Sequence, residues 1–325
     1  MDQPDVVPVT ARAPAETSLA KSAAAASITV AVVLVSLKAW ATWKTGSAAM
    51  LGSLADSALD LVASLVTLFG VWYASQPADR EHRFGHGKAE SIAALVQVML
   101  IALSAFGILL RSTQQLLAGA RVEAPAEGIG VSVVAIVLTF ALLAWQRYVV
   151  ARTNSVAIKT DHAHYQSDLL LNLAVIAALA LDSYAGITGA DPVFGLAIAG
   201  WLGWNAWQAS REALDHLLDR EWPEAKRRRF VEVAARHPEL ANLHDLRTRT
   251  AGHVDFAQFH VDLPEEMTVG QSHDIIERVE EDLLREFPGL ELFIHIDPAG
   301  HVDEPGNTLV EQDEFAALAS GEDGA

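Results

Sequence analysis

Leu51-Gly-Ser-Leu-Ala-Asp56-Ser-Ala-Leu-Asp60-Leu-Val62 places two carboxylates inside a run of apolar and small residues. Spaced four apart, they lie within about 40° of each other on a helix and share one face. A second stretch repeats the device: Asp161-His-Ala-His164-Tyr-Gln-Ser-Asp168-Leu-Leu-Leu-Asn172 sets His164 and Asp168 at the same spacing. Each charge at bilayer depth costs roughly 2.5–3.5 kcal/mol on insertion scales, so it needs a partner or a purpose. Polar residues that tie helices together, or that sit at headgroup level, would explain one such pair. Two pairs on separate spans point to a site. Asp56, Asp60, His164 and Asp168 supply three carboxylates and one imidazole, a donor set that suits tetrahedral zinc. These ligands bind metal only when deprotonated, so loading releases protons and protonation releases metal. An unperturbed imidazole titrates near neutrality, which makes His164 a plausible proton carrier.

Working outward, apolar blocks suited to crossing a bilayer fall near 22–43, 48–74, 90–117, 128–151, 162–185 and 192–216. Thr45-Gly46, Gln76-Pro77, the stretch from Gly119 to Gly130 and Gly189 to Pro192 punctuate them. Trp40, Trp43, Trp72, Tyr73, Trp145 and Tyr148 stand near span ends, where amphipathic rings favour the membrane interface. Arg80, Arg83 and Lys88 occupy the second connection, Arg147, Arg152 and Lys159 flank the fourth, and Arg220 follows the sixth span. The opposite loops are poorer in cations, so both termini are expected to be cytoplasmic.

With no cysteine, disulfides and thiolate metal sites are excluded, and any metal must take nitrogen and oxygen ligands. The net charge of −18 argues against nucleic acid as a partner and serves solubility outside the membrane. The expected organisation is a disordered cytoplasmic tail over 1–21, a six-span all-α transmembrane domain over 22–218, a cytoplasmic domain over 219–303 and a disordered acidic tail over 304–325. In the third segment a helix is expected over 223–236. Alternating strands follow from Leu243 to Arg249 and Val254 to Leu263, then a helix over 268–287 and a strand over 290–297. This is a small α+β unit. On the last strand His295 and Asp297 point to one face.

Further motifs follow the same order along the chain: Gln76-Pro-Ala-Asp79, Phe84-Gly-His86-Gly-Lys88-Ala-Glu90-Ser91, Leu217-Leu-Asp-Arg220, His244-Asp-Leu-Arg-Thr-Arg249 and Ile294-His295-Ile-Asp297-Pro298. Together with Asp56, Asp60, His164 and Asp168 they resemble the cation diffusion facilitator family, and most closely its bacterial ferrous-iron/zinc efflux branch. The resemblance covers residues 20–300. It implies a homodimer in the bacterial inner membrane that exports zinc, with cadmium, iron(II) and manganese open, in exchange for protons by alternating access. It also implies a ferredoxin-like, metallochaperone-like fold for the C-terminal domain. No catalytic cofactor is expected; metal enters as substrate and as a structural or regulatory ligand.

The same resemblance assigns the transport site to Asp56, Asp60, His164 and Asp168. A second metal site falls on Asp79, His82 and His86, residues whose spacing alone leaves open an ordinary solvated loop. A cytoplasmic two-metal cluster falls on His244, His260, His273, His295 and Asp297, each of which could otherwise be a solvated surface residue. Ile296 departs from the family pattern, which has glutamine between the His and the Asp, and could reshape the cluster. Lys88 is expected to pair with Asp219 at the dimer contact; read without the resemblance, it is an interfacial charge. Two other functions remain to be weighed. A membrane-anchored metal sensor or scaffold would need only the soluble domain. An intramembrane metalloenzyme would need an open metal position and a general base, for which no sequence motif is present.

Overall fold

The computed structural model describes residues 14–45, 48–118, 129–185, 190–240, 242–252 and 254–299. Six long helices come first: α1 (Pro14–Thr45), α2 (Ala48–Ala74), α3 (Ala89–Ala118), α4 (Ile129–Thr153), α5 (Val156–Ala185) and α6 (Ala190–Leu217). Among the described residues, four of them, α1 to α4, are long and apolar enough by composition to cross a membrane. Helix α5 carries most of its charged residues and both of its histidines in its first half, and these are the residues that matter most below.

Helix α1 starts at Pro14, so the expected tail over 1–21 is corrected at its C-terminal end. Proline suits the first helical turn, where its missing N–H would have no partner. Ala20, Ala23 and Ala24 are fully buried and pack against Val71, Val149 and Ile158, which recruits this alanine-rich segment into the bundle. Residues 1–13 and the expected tail over 304–325 lie outside the described residues. Helix α5 likewise begins six residues before its expected start, with Val156, Ala157, Ile158 and Thr160 buried. Asn154 turns the chain between α4 and α5 in the left-handed region (φ 47°), its N–H bonding to the Val150 carbonyl.

The bundle is inside out relative to a soluble protein. Leu65, Phe69, Met99, Leu103, Phe140 and Trp204 are exposed, whereas Ser27, Ser64, Thr67, Gln97, Gln146 and Asp161 are at most 1% exposed. An apolar exterior of this kind is the surface that lipid would cover. Helix α1 packs on α2 and α4, α2 on α3, and α5 against α2, α3 and α4. Val98, Ile101 and Ala105 of α3 form a cluster with Leu202 and Ala206 of α6. Gly70 brings α2 close to α3, since a Cβ there would collide with Ala93.

The helices from α1 through most of α6 form one compact unit; residues from His216 onward, with Pro77–Phe84, form the second. The second unit contains α7 (Glu224–Ala234), a short 3-10 turn (Pro238–Leu240), β1 (His244–Ala251), β2 (Val254–Leu263), α8 (Val269–Glu286) and β3 (Leu290–Pro298). The sheet order is β1-β2-β3, with β1 antiparallel and β3 parallel to β2. Helix α8 makes the crossover that a parallel pair requires. It opens with a capping box between Thr268 and Gln271. Phe230, Leu240, Phe259, Leu283 and Leu290 are at most 1% exposed and form the core with the two helices.

Candidate metal centres

Helices α2 and α5 face each other across the residues singled out by their spacing. His164 Nε2 lies 3.1 Å from Asp60 Oδ1 and 3.9 Å from Asp168 Oδ2. One donor atom from each of Asp60, His164 and Asp168 falls within a 4.8 Å group. Zinc bonds of about 2.0–2.1 Å hold tetrahedral ligand atoms roughly 3.4 Å apart, so small rotamer changes would bring these donors onto one ion. Asp56 lines the same cavity of about 470 Å³ but stands outside the close group and is exposed. The imidazole ring of His164 is steadied by an edge contact to Tyr165, at 5.7 Å between centroids. Tyr165 in turn shares a 2.8 Å hydrogen bond with Ser64 of α2.

One turn before His164, on the same face of α5, stands a residue for which the sequence offered no role. Asp161 is fully buried and gathers donors from four other helices. Ser27 of α1 donates to Oδ2 at 2.6 Å and Gln146 of α4 at 2.7 Å. Gln97 of α3 donates to Oδ1 at 2.9 Å, and Thr67 of α2 at 3.4 Å. These bonds satisfy a carboxylate that would otherwise be prohibitively costly to bury. The signal was present: residues 161, 164 and 168 fall on one helical face. A second unexpected member of the cavity wall is Lys38 of α1.

In the connection after α2, Asp79 Oδ1 accepts the backbone N–H of His82 at 2.6 Å and that of Glu81 at 2.9 Å. It also lies 3.2 Å from His82 Nδ1. The His82 N–H bond foremost, and the Glu81 N–H bond with it, hold the Asp79 carboxyl below the usual range, despite an opposing effect of desolvation. His86 is buried against Tyr73, ring centroids 4.6 Å apart, with Nδ1 3.4 Å from the Gln76 carbonyl.

The C-terminal sheet aligns three histidines across its strands. His244 of β1 is registered with His260 of β2, and His260 with His295 of β3. Neighbouring strands lie about 4.8 Å apart, so the three imidazoles form a row. Asp297 closes it: Oδ2 is 2.8 Å from His260 Nδ1 and 3.8 Å from His244 Nε2, and Oδ1 is 3.3 Å from His295 Nε2. His244, His260 and Asp297 offer donors within a 4.8 Å group. His273 of α8 is not in it; it lines a neighbouring cavity with Ile296 and Asp297. Strand alternation turns Ile296 away from the row of histidines. Asp245 sits in a bulge at φ 47°, 3.8 Å from His260 Nε2 and held by Arg247 at 2.8 Å. A bulge re-aims a side chain in a way that a strict alternation pattern cannot foresee. Asp219, also at positive φ (55°), lies 3.5 Å from Arg249.

Comparison with known proteins bears on the whole chain. Residues 24–218 match the family described as the cation efflux transmembrane domain. Residues 222–299 match the cation efflux protein cytoplasmic domain. The cation-efflux pump FieF of Pectobacterium carotovorum subsp. carotovorum (strain PC1) is 44% identical over 282 residues, 87% of this chain and 94% of that protein. The FieF pump of Cronobacter sakazakii (strain ATCC BAA-894) is 43% identical over 284 residues, with the same coverage. Among solved structures, the metal-bound C-terminal domain of the CzcD transporter from Thermotoga maritima matches 25% of this chain and 100% of that one, at 22% identity and a TM-score of 0.24. The transmembrane and cytoplasmic matches follow one another along the chain, and the identity to whole efflux pumps runs through both; the protein therefore belongs to the cation efflux family of membrane transporters.

Proposed function

We propose that this transporter exports a divalent metal from the cytoplasm, zinc first among the candidates, in exchange for protons. The single observation that carries this reading is the contact of Asp60, His164 and Asp168 across two long helices of the bundle. Imidazole with carboxylates favours zinc, cadmium, iron(II) or manganese over soft copper(I). Asp56 is the fourth ligand, reached from the wall of the same cavity by a rotation of its exposed side chain. Metal and protons compete for the same donors, so each prefers a different protonation state of the site. Alternating access follows when those two states open to opposite sides. That the relatives are cation-efflux pumps supports the outward direction.

The protein works as a homodimer in a bacterial inner membrane, with both termini cytoplasmic. The excess of Lys and Arg in the second and fourth connections supports that orientation. Asp79, His82 and His86 form a second metal site. His244, His260, His295 and Asp297 form a regulatory metal cluster, to which His273 is added from the neighbouring cavity. Lys88 and Asp219 hold the membrane halves of the dimer. A membrane-anchored sensor is the weaker reading, because sensing needs only the sheet cluster and leaves the intramembrane group without a purpose.

The test is zinc flux into proteoliposomes with and without an imposed pH gradient. Gradient-dependent flux is expected. Protein that binds zinc, stays folded and moves none would overturn export and favour the sensor.

A further inference from the structure

The cavity that holds Asp56, Asp60, His164 and Asp168 also receives two cationic side chains, Lys38 from α1 and Arg111 from α3. Lys38 is half-buried and fixed: Nζ donates to Ser57 Oγ at 2.6 Å and to the Ser53 carbonyl at 3.2 Å. Those two acceptors sit one turn apart on α2 and bracket Asp56. Both hydrogen-bond partners are neutral. The carboxylates of the same cavity are therefore the countercharges that make an ammonium tolerable within a membrane span.

A tie between α1 and α2 needs only a hydrogen-bond donor. A full positive charge does more, since the same cavity must admit a divalent cation. Unit charges repel across such a cavity even when partly screened, and a divalent ion doubles the effect. Even a distant ammonium therefore lowers metal affinity by a measurable factor. The placement gives this effect a direction. Lys38 lies toward the C-terminal end of α1 and Arg111 toward that of α3, whereas the buried Asp161 lies near the start of α5. In the topology proposed above, the first two ends face away from the cytoplasm, where the metal leaves.

Resting on that transport reading, we propose that Lys38 is a release-tuning residue: a fixed ammonium in the cavity wall that limits the metal affinity of the transport site and speeds discharge on the extracytoplasmic side. Arg111 adds to the same field from α3. Neither residue ligates the metal. Both act on it through space, and together they keep a site with three carboxylates from holding its cargo too tightly.

The experiment is the zinc dependence of initial flux in proteoliposomes, at alkaline pH where protons compete least, for wild type, Lys38→Met and Lys38→Arg. Methionine keeps the length of the side chain and removes a charge from the membrane, and the freed Ser57 hydroxyl can bond back to the Ser53 carbonyl. For Lys38→Met, KM is expected to fall about tenfold, a difference of about 1.4 kcal/mol, and kcat to fall with it as release slows. Lys38→Arg is expected to restore both toward wild type. Arg111→Gln provides a second variant on a different helix, with a smaller fall in KM expected. A purely structural role for Lys38 would lower kcat or thermal stability without tightening KM. An unchanged or raised KM in folded Lys38→Met, or flux lost together with zinc binding, overturns the inference. Absence of flux in the wild type would instead overturn the transport reading beneath it.

Discussion

Nε2 of His164 on α5 lies 3.1 Å from Oδ1 of Asp60 on α2, so one contact joins the two helices that carry the proposed metal donors. Replacing His164 by Ala removes a donor and the tie at once. Loss of supporting residues alone typically costs metal sites 10–100-fold, so zinc flux in His164→Ala is expected to fall by about 100-fold or more. The check is initial flux in proteoliposomes matched for protein content. Near wild-type flux would remove His164 from the site.

Asp161 anchors five helices through four side-chain donors. Alanine in its place would strand several buried donors, at a cost of about 3 kcal/mol or more. Asparagine keeps one carbonyl acceptor and is expected to lose less. Thermal unfolding in detergent should therefore rank wild type above Asp161→Asn, and Asp161→Asn above Asp161→Ala. An unchanged midpoint for the alanine variant would contradict a stabilising role for this network.

Gly70 allows α2 to approach α3 so closely that a Cβ would strike Ala93. Small residues permit such crossings in membranes, where helices associate by packing rather than by escape from water. Gly70→Val is expected to destabilise the bundle by about 1–3 kcal/mol, as overpacking does elsewhere. The same unfolding measurement checks it, and a neutral result would show that the two helices separate at little cost.

Much of the architecture is legible in the sequence, because long apolar runs and alternating strands are local signals. Helix α2 and strand β2 span the residues that their patterns predict, 48–74 and 254–263. The starts of α1 and α5 could not be placed that way. The alanines near Pro14 are weakly apolar, and they join the bundle only because Val71, Val149 and Ile158 cover them. Asp60, His164 and Asp168 were legible from their spacing. Asp161 shares the helical face of His164 and Asp168, but its anchoring role and the place of Lys38 lie in partners from other helices. The alignment of His244, His260 and His295 depends on strand register, which no single strand encodes.

Glu280 on α8 has its carboxyl pushed above the ordinary range by burial, with Glu277 adding to the effect and His273 opposing it. The folded state therefore holds that proton more tightly than the unfolded chain does. The stabilising contribution is present at low pH and is lost as pH rises through the raised pKa. Glu280→Gln is thus expected to raise the unfolding midpoint of the cytoplasmic domain within the full-length protein near neutral pH. That gain should vanish below about pH 4, where the wild-type carboxyl is itself protonated. A gain that is the same at both pH values would contradict the assignment.

The most direct test of the proposed intramembrane metal site pairs flux with bound metal in the same vesicles, for wild type and Asp60→Ala. Gradient-driven zinc flux is expected in the wild type. In the folded variant none is expected, with zinc retained at the proposed cytoplasmic cluster of His244, His260 and Asp297. Flux that persists in Asp60→Ala would show that the metal crosses elsewhere and would contradict the assignment of Asp60, His164 and Asp168 as the transport site.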